Sequence, residues 1–444
     1  MFTKNAQTTF LICLITANIN FSLAQTAPGE VAKDAVYLDA KALYPFSGGV
    51  AVIQKGTKRA LINKEGKFII PFSEIIVEQV SAPANGLFMI NGIDDNGKPV
   101  SALINNKGER LVNLLNKSVS GLVDNSSYDC AVFKTKSQDY LYVFPNSETI
   151  SSPKLLTGIR EGIGIENKSG ASVYWNLNEN KEIPGTFFWA SPFSNGIGIV
   201  AKKNEVNQIV YGAVNRQGDM VLPFQFSKPP KPFLNNHTVI EPRDKNEFDY
   251  AYFNNSGVMV RKVKRSVAGG KNIPQGPFIK NRFVIGYSNE GVELFDSNWK
   301  MTPLKNLLAA HHVDVKKYNK FLIGGIGGSI FPIGMQTNSP EEDNSILWFN
   351  ASEFGKHAYC GFINFDTKRS IPPIFYWQGM IGTYRKEGSY GNSFAVNWFD
   401  PVSKLAFVSL PTKFDEKGEA IEFRNGFIDE TGIFRIVLQS ASKW

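Results

Sequence analysis

The sequence predicts an all-β protein built from tandem antiparallel β-hairpins and meanders, and three observations predict it. The stretch Ala60-Leu-Ile-Asn63-Lys-Glu-Gly66-Lys-Phe-Ile-Ile70-Pro-Phe72 joins an apolar run to Asn, a turn glycine and a second apolar run. The pattern recurs at Ala102-Leu-Ile-Asn105-Asn-Lys-Gly108, Ala213-Val-Asn215-Arg-Gln-Gly218 and Gly426-Phe-Ile-Asp429-Glu-Thr-Gly432. The 444-residue chain also holds 34 Phe, 15 Tyr and 39 Gly, which suits sheet faces joined by tight turns.

Each copy reads as strand, turn, strand, because Asn/Asp-x-x-Gly supplies both a turn-forming side chain and a residue that accepts positive φ. A leading strand precedes several copies, after Pro45-Phe-Ser-Gly-Gly-Val50, Pro83-Ala-Asn-Gly-Leu87 and Pro192-Phe-Ser-Asn-Gly-Ile197. A weaker run such as Glu74-Ile-Ile-Val-Glu-Gln-Val80 follows the hairpin, so one unit holds three or four antiparallel strands.

With the turn Asn/Asp as a ruler, strong marks fall at Asn63, Asn105, Asn215, Asn254, Asp296, Asn364 and Asp429, with weaker ones at Asn146 and Asn176. The regular spacings are 42 (63 to 105), 39 (215 to 254) and 42 (254 to 296). The last two are 68 and 65, so later units carry insertions of about two dozen residues, around 297–360 and 377–425. The expectation is a single repeat domain over 25–444 with about nine units. Meanders of roughly four strands at this period match the blade of a β-propeller, so a propeller-like ring is favoured. An open β-solenoid or superhelix is the alternative.

At these positions the chain resembles the WG-repeat family, also called KWG repeats. That unit runs from an aromatic-x-x-Gly-apolar-Ala strand to a Trp-Gly-apolar-Ile-Asp/Asn-x-x-Gly hairpin. Phe46-Ser-Gly-Gly-Val-Ala51 and Phe193-Ser-Asn-Gly-Ile-Gly198 fit the first half, and Tyr211-Gly-Ala-Val-Asn215, Cys360-Gly-Phe-Ile-Asn364 and Asn425-Gly-Phe-Ile-Asp429 the second. None keeps the Trp of the Trp-Gly pair, so the array is a diverged one. The resemblance implies a β-rich repeat fold and brings no catalytic residue with it.

The N-terminus reads as a signal peptide over 1–24: Lys4, the apolar stretch Phe10-Leu-Ile-Cys-Leu-Ile15, then Ser22-Leu-Ala24 before Gln25. Small residues at Ser22 and Ala24 suit cleavage there, and Thr16, Asn18 and Asn20 make the segment too polar and short for an anchor. The expected location is across the inner membrane, periplasmic or extracellular, with no transmembrane segment in the mature chain. Two cysteines remain, Cys130 and Cys360, which form either one long-range disulfide or two buried thiols.

Charge and motifs argue against most chemistries. The net charge of +8, from 48 Lys+Arg against 40 Asp+Glu, is mild, and the only compact basic run is Arg261-Lys-Val-Lys-Arg265. A nucleic-acid partner is therefore not expected. Pro303 to Tyr318 is the clearest helix, with apolar residues at Leu304, Leu307 and Leu308. His311-His312-x-Asp314 within it offers no second His or Cys at i,i+3 or i,i+4, the partner a zinc helix would use, so no metal is expected. His237 and His357 have no Gly-x-Ser-x-Gly serine to serve. Ile323-Gly-Gly-Ile-Gly-Gly-Ser329 lacks the Lys-Ser/Thr end of a phosphate loop, and Glu341-Glu342-Asp343 are consecutive in a polar loop rather than opposed across a substrate. No catalytic residue and no cofactor is expected.

Aromatic clusters are the one surface signal: Phe187-Phe-Trp189, Trp348-Phe349, Phe375-Tyr-Trp377 and Trp398-Phe399. Consecutive strand residues point to opposite faces, so one ring of a pair enters the core while the other stays available to a sugar or peptide. Trp189, Trp348, Trp377 and Trp398 are the candidate binding residues. The function expected is an extracytoplasmic, non-catalytic scaffold binding a protein or glycan of the cell envelope. A glycan-directed hydrolase or lyase, with carboxylates gathered on the ring, is the alternative.

Overall fold

A computed structural model describes residues 27–80, 86–116, 119–124, 128–233, 236–240, 250–263, 278–279, 282–288, 291–296, 300–317, 320–323, 346–352, 358–364, 367–376, 399–400 and 402–439. Among these residues there are thirty-four strands and one α-helix, Leu304–Ala310. The protein is all-β.

The first unit runs Lys41–Ser47, Val50–Lys55, Lys58–Ile62 and Phe68–Gln79, each strand antiparallel to the one before. Its last strand is twelve residues long and also begins the second unit, which continues through Phe88–Ile93, Pro99–Ile104 and Arg110–Asn113. Further sheets follow at 119–152, 157–187, 189–226, 237–263, 278–303 and 320–376. The final sheet contains Ala406–Phe414, Ala420–Ile428 and Phe434–Leu438, and its fourth strand is the N-terminal Val31–Leu38, paired parallel to Phe434–Leu438.

That pairing joins the two ends of the array. Phe46, Ile53, Ala60 and Ile62 of the first unit share a core with Leu405, Phe407, Phe427 and Ile436 of the last. An open solenoid would leave these apolar faces in water, whereas joining the ends buries them. Elsewhere the apolar face of one sheet packs on the next. Val52, Leu61, Ile90 and Ala102 join units one and two, while Leu103, Val112, Phe133 and Val143 join two and three.

The motif glycines have two jobs. Gly257 takes φ +75°, as the turn requires, and a Cβ there would lie 2.0 Å from the carbonyl oxygen of Val221 in the preceding unit. Gly218 meets Pro184 O of its preceding unit in the same way, at 2.5 Å. The hairpin glycine is thus a point of contact between units as well as a turn residue.

The turn Asn/Asp works as a local acceptor. Asn63 Oδ1 receives the N–H groups of Glu65 and Lys67, and Asp94, Asn204 and Asp415 close turns at the opposite sheet end in the same manner. The weak marks differ in register. In the third unit Phe144 holds the position that Asn63 holds in the first, accepting from Ser147 N and donating to Glu148 O, so Asn146 lies two residues late. In the fourth, Asn176 caps a longer turn that ends at Asn180, φ 50°.

Asp429 closes the last hairpin, and its carboxyl carries a pH dependence. Burial pushes it up, but hydrogen bonds from Thr431, Arg435 and the Ile433 N–H outweigh this and hold it below the ordinary 3.8. For Glu166, burial is likewise outweighed by Lys154 and Lys168, and the carboxyl stays below 4.5. A depressed native pKa stabilises the fold above the unfolded value and is lost as pH falls through the native one. Urea midpoints are therefore expected to hold from pH 7 to about 5 and to drop below about 4. Asp429→Asn should lower the midpoint at pH 7 and shrink the difference between pH 7 and pH 3; an unchanged difference would reject the assignment.

One expectation is corrected, and one alternative left open by the sequence is decided. The helix covers Leu304–Ala310 rather than reaching Tyr318. His312 adopts φ 61°, and Val313 N and His312 N return to Leu308 O and Ala309 O, a stop that normally uses glycine. Of the two cysteine alternatives, the structure has the two buried thiols: Cys130 and Cys360 form no disulfide, and burial pushes the Cys360 thiol up, away from reactivity. The Gly-rich stretch beyond Ile323, Glu341-Glu342-Asp343 and residues 377–398 lie outside the described residues.

Candidate functional site

The fifth unit, Trp189–Ala190, Ile197–Lys203, Ile209–Asn215 and Met220–Phe226, carries the exposed aromatic face. At one end its sheet is buried, with Ile197, Ala213 and Leu222 packed on Phe233, Ile240 and Phe253 of the sixth unit. Side chains two apart share a face, so Ala201 and Lys203 continue from Ile197, while Tyr211 and Ile209 continue from Ala213. The cross-strand register pairs Ala201 with Tyr211 and Lys203 with Ile209.

Trp189 pairs with Ala201, and the N–H of the residue before it, Phe188, also donates to Ala201 O at 2.8 Å. Two residues therefore oppose one, the arrangement of a β-bulge. The bulge breaks the simple alternation: Phe187 is buried, yet Phe188 and Trp189 are 44% and 42% exposed. Trp189 stands edge to face with Tyr211, ring centroids 6.1 Å apart, and Lys203 Nζ lies 5.1 Å over the Phe188 ring. Ile209 is also exposed. The face thus presents Phe188, Trp189, Tyr211 and Ile209 with one ammonium at its edge.

The other face of the sheet is closed. Phe187 packs on Tyr174 and Phe224, and Lys202 Nζ lies 4.8 Å over the Phe224 ring. Burial of Tyr174 pushes its phenol up, so that hydroxyl stays protonated and donates to Ser191 O. Fixed packing there holds the strands that display Trp189.

Of the four tryptophans chosen from sequence, Trp189 is placed on this face. Trp348 lies in the strand Ile346–Ser352, with its side chain outside the described set, and Trp377 and Trp398 are outside the described residues. Tyr211, Ile209 and Lys203 were not singled out from sequence. The readable signal was their spacing: they alternate across the turn at 204–208, which puts them on one face with Ala201.

A family comparison falls on this unit. The WG containing repeat matches residues 211–228. The matched segment begins at Tyr211, and its following Gly212 has a spatial reason. A Cβ on Gly212 would lie 2.6 Å from Leu222 O on the next strand of the same unit. None of the curated proteins compared with the chain matches it. Among solved structures, it is similar to a eukaryotic initiation factor at 10% identity and TM-score 0.37, covering 93% of this chain and 92% of that one. It is also similar to dipeptidyl peptidase 4 of Porphyromonas gingivalis at 9% identity and TM-score 0.39, over 78% and 61%. A third is the WD40 domain of Toxoplasma gondii coronin, at 9% identity and TM-score 0.23, over 61% and 85%. At these scores the likenesses bear on neither ligand nor chemistry.

Chemically, the face offers stacking and one positive charge. Among the described residues no group of three His, Cys, Asp or Glu side chains is placed to hold a metal. No described helix is long and apolar enough to cross a membrane.

Proposed function

We propose that this repeat protein is a non-catalytic, extracytoplasmic recognition scaffold for a glycan or protein of the cell envelope. The pair of exposed rings, Phe188 and Trp189, held on a sheet whose other face is packed, carries the reading. Exposed aromatic rings on rigid strands supply contact area with little ordering cost, which is what a recognition surface needs. The signal-like pattern of residues 1–24 supports export.

Binding of the purified protein to an array of envelope glycans and to envelope proteins tests the proposal, with Trp189→Ala alongside. The expected result is a ligand whose affinity falls about tenfold in the variant, equivalent to about 1.4 kcal/mol. Turnover of an arrayed glycan without stable binding would replace this reading with the hydrolase or lyase. Export is checked by sequencing the N-terminus of the periplasmic protein, which is expected to begin at Gln25.

A further inference from the structure

We propose that the Phe188–Trp189–Tyr211 face takes an acidic saccharide, with a sugar ring stacked on the exposed aromatics and its carboxylate on Lys203. The inference rests on the reading that this face binds a ligand, and it specifies the ligand's class.

Charge points to an acid. Lys203 forms no ion pair among the described residues, and its ammonium rests over the Phe188 ring at 5.1 Å. Several cations of this and the neighbouring unit are already paired. Lys154 and Lys168 bind Glu166 at 2.8 and 3.2 Å, Lys168 also binds Glu182 at 2.9 Å, and Arg216 binds Glu161 at 2.9 Å. Lys202 points to the closed face, over Phe224. Glu205, two residues from Lys203 in the polar turn, forms no ion pair with it. Among the described residues no carboxylate takes the ammonium at the edge of the aromatic face, which leaves it to a ligand anion.

Size points to a sugar. A standard protein interface buries about 800 Å² on each side and engages about 20 or more residues. The exposed apolar surface here is Phe188, Trp189 and Ile209, with Tyr211 half-buried and Val206 exposed in the adjoining turn at 204–208. These few side chains fall well short of such an interface, which favours a small ligand such as a saccharide over a protein. The CH faces of a pyranose pack on an aromatic ring, and a uronic acid places its carboxylate at the ring edge, where Lys203 stands. A lysine forms a point-charge contact of this kind without demanding bidentate geometry.

The test compares a glucuronate-containing oligosaccharide with its carboxyl-reduced, neutral form by calorimetry on the full-length secreted protein, at low and high salt. The acidic form is expected to bind about tenfold tighter at low salt, and the difference should shrink as salt rises. Lys203→Gln should bring the acidic form's affinity down to that of the neutral form, and Trp189→Ala should weaken both. Lys413→Gln, at a remote exposed pair with Glu422, should change neither. Equal affinity for the two forms, or a preference that survives Lys203→Gln, overturns the acidic assignment and leaves the scaffold reading standing. Failure of both saccharides alongside Trp189-dependent binding of a protein overturns the saccharide class. If no arrayed glycan or envelope protein binds in a Trp189-dependent way, the scaffold reading falls with it. Circular dichroism on each variant separates these outcomes from misfolding.

Discussion

Replacing Asp400 with alanine is expected to destabilise the fold by about 3–5 kcal/mol, measured as the change in urea unfolding free energy at pH 7. The buried carboxylate receives Gly48 N at 2.8 Å, Gly49 N at 3.1 Å and Ser403 N at 2.7 Å. Alanine would leave those donors without their acceptor, at about 1–3 kcal/mol for each that stays buried. Position makes the loss larger than a similar loss elsewhere. Asp400 and Gly48 are 352 residues apart, and their bond lies where the last unit meets the first, so no short covalent link holds the two together. Glu161 performs the matching task between units four and five, receiving Gly196 N at 2.8 Å, but those units are consecutive in the chain. Glu161→Ala should therefore cost about 1 kcal/mol or less beyond its partly exposed pair with Arg216. Hydrogen exchange should locate the difference: the amides of Gly48 and Gly49 should lose protection in Asp400→Ala while those of Ala213 and Val214 keep theirs. A cost for Asp400→Ala no greater than that for Glu161→Ala would show that the seam has no special place in the fold.

The second large effect is expected from Gly257→Ala. A non-glycine residue at φ +75° costs about 1–2 kcal/mol by itself. The added Cβ would also fall 2.0 Å from Val221 O, a backbone atom of the preceding unit, so two units must move apart to admit it. The total is expected to exceed about 3 kcal/mol. Two other glycines separate the contributions. Gly97 and Gly418 have similar φ values, +77° and +79°, with nothing within 4 Å of a built Cβ, so alanine there should cost only the backbone strain. If Gly257→Ala costs the same as Gly97→Ala, the close approach between units carries no energetic weight.

The sequence by itself determined the repeat. Asn63, Asn105, Asn215, Asn254 and Asp429 all close hairpin turns, because an acceptor side chain followed by a residue tolerant of positive φ specifies such a turn from local information. It also determined the all-β class and the alternation that sends Ala201, Ile197 and Ala213 inward. Local rules failed where a neighbour intervened. At Phe144 an aromatic residue took the Asn position, and at His312 a histidine took a glycine's, each held by backbone hydrogen bonds that no spacing announces.

Tertiary structure alone decided the rest. That the ends of the array meet depends on Val31–Leu38 pairing with Phe434–Leu438 and on Asp400 finding Gly48, contacts between segments hundreds of residues apart. The dual task of Gly257 and Gly218 was legible only as a turn requirement, since a carbonyl of the preceding unit is invisible to local pattern. The candidate site divides in the same way. Trp189 could be chosen as an aromatic in a cluster, but strand alternation predicts Phe188 on the opposite face. The bulge opposite Ala201 brought Phe188 to the same side, and cross-strand register added Tyr211 and Lys203. Chemistry that depends on one strand's own residues is written in that strand, whereas a surface shared by several strands is set by their register, which only packing fixes.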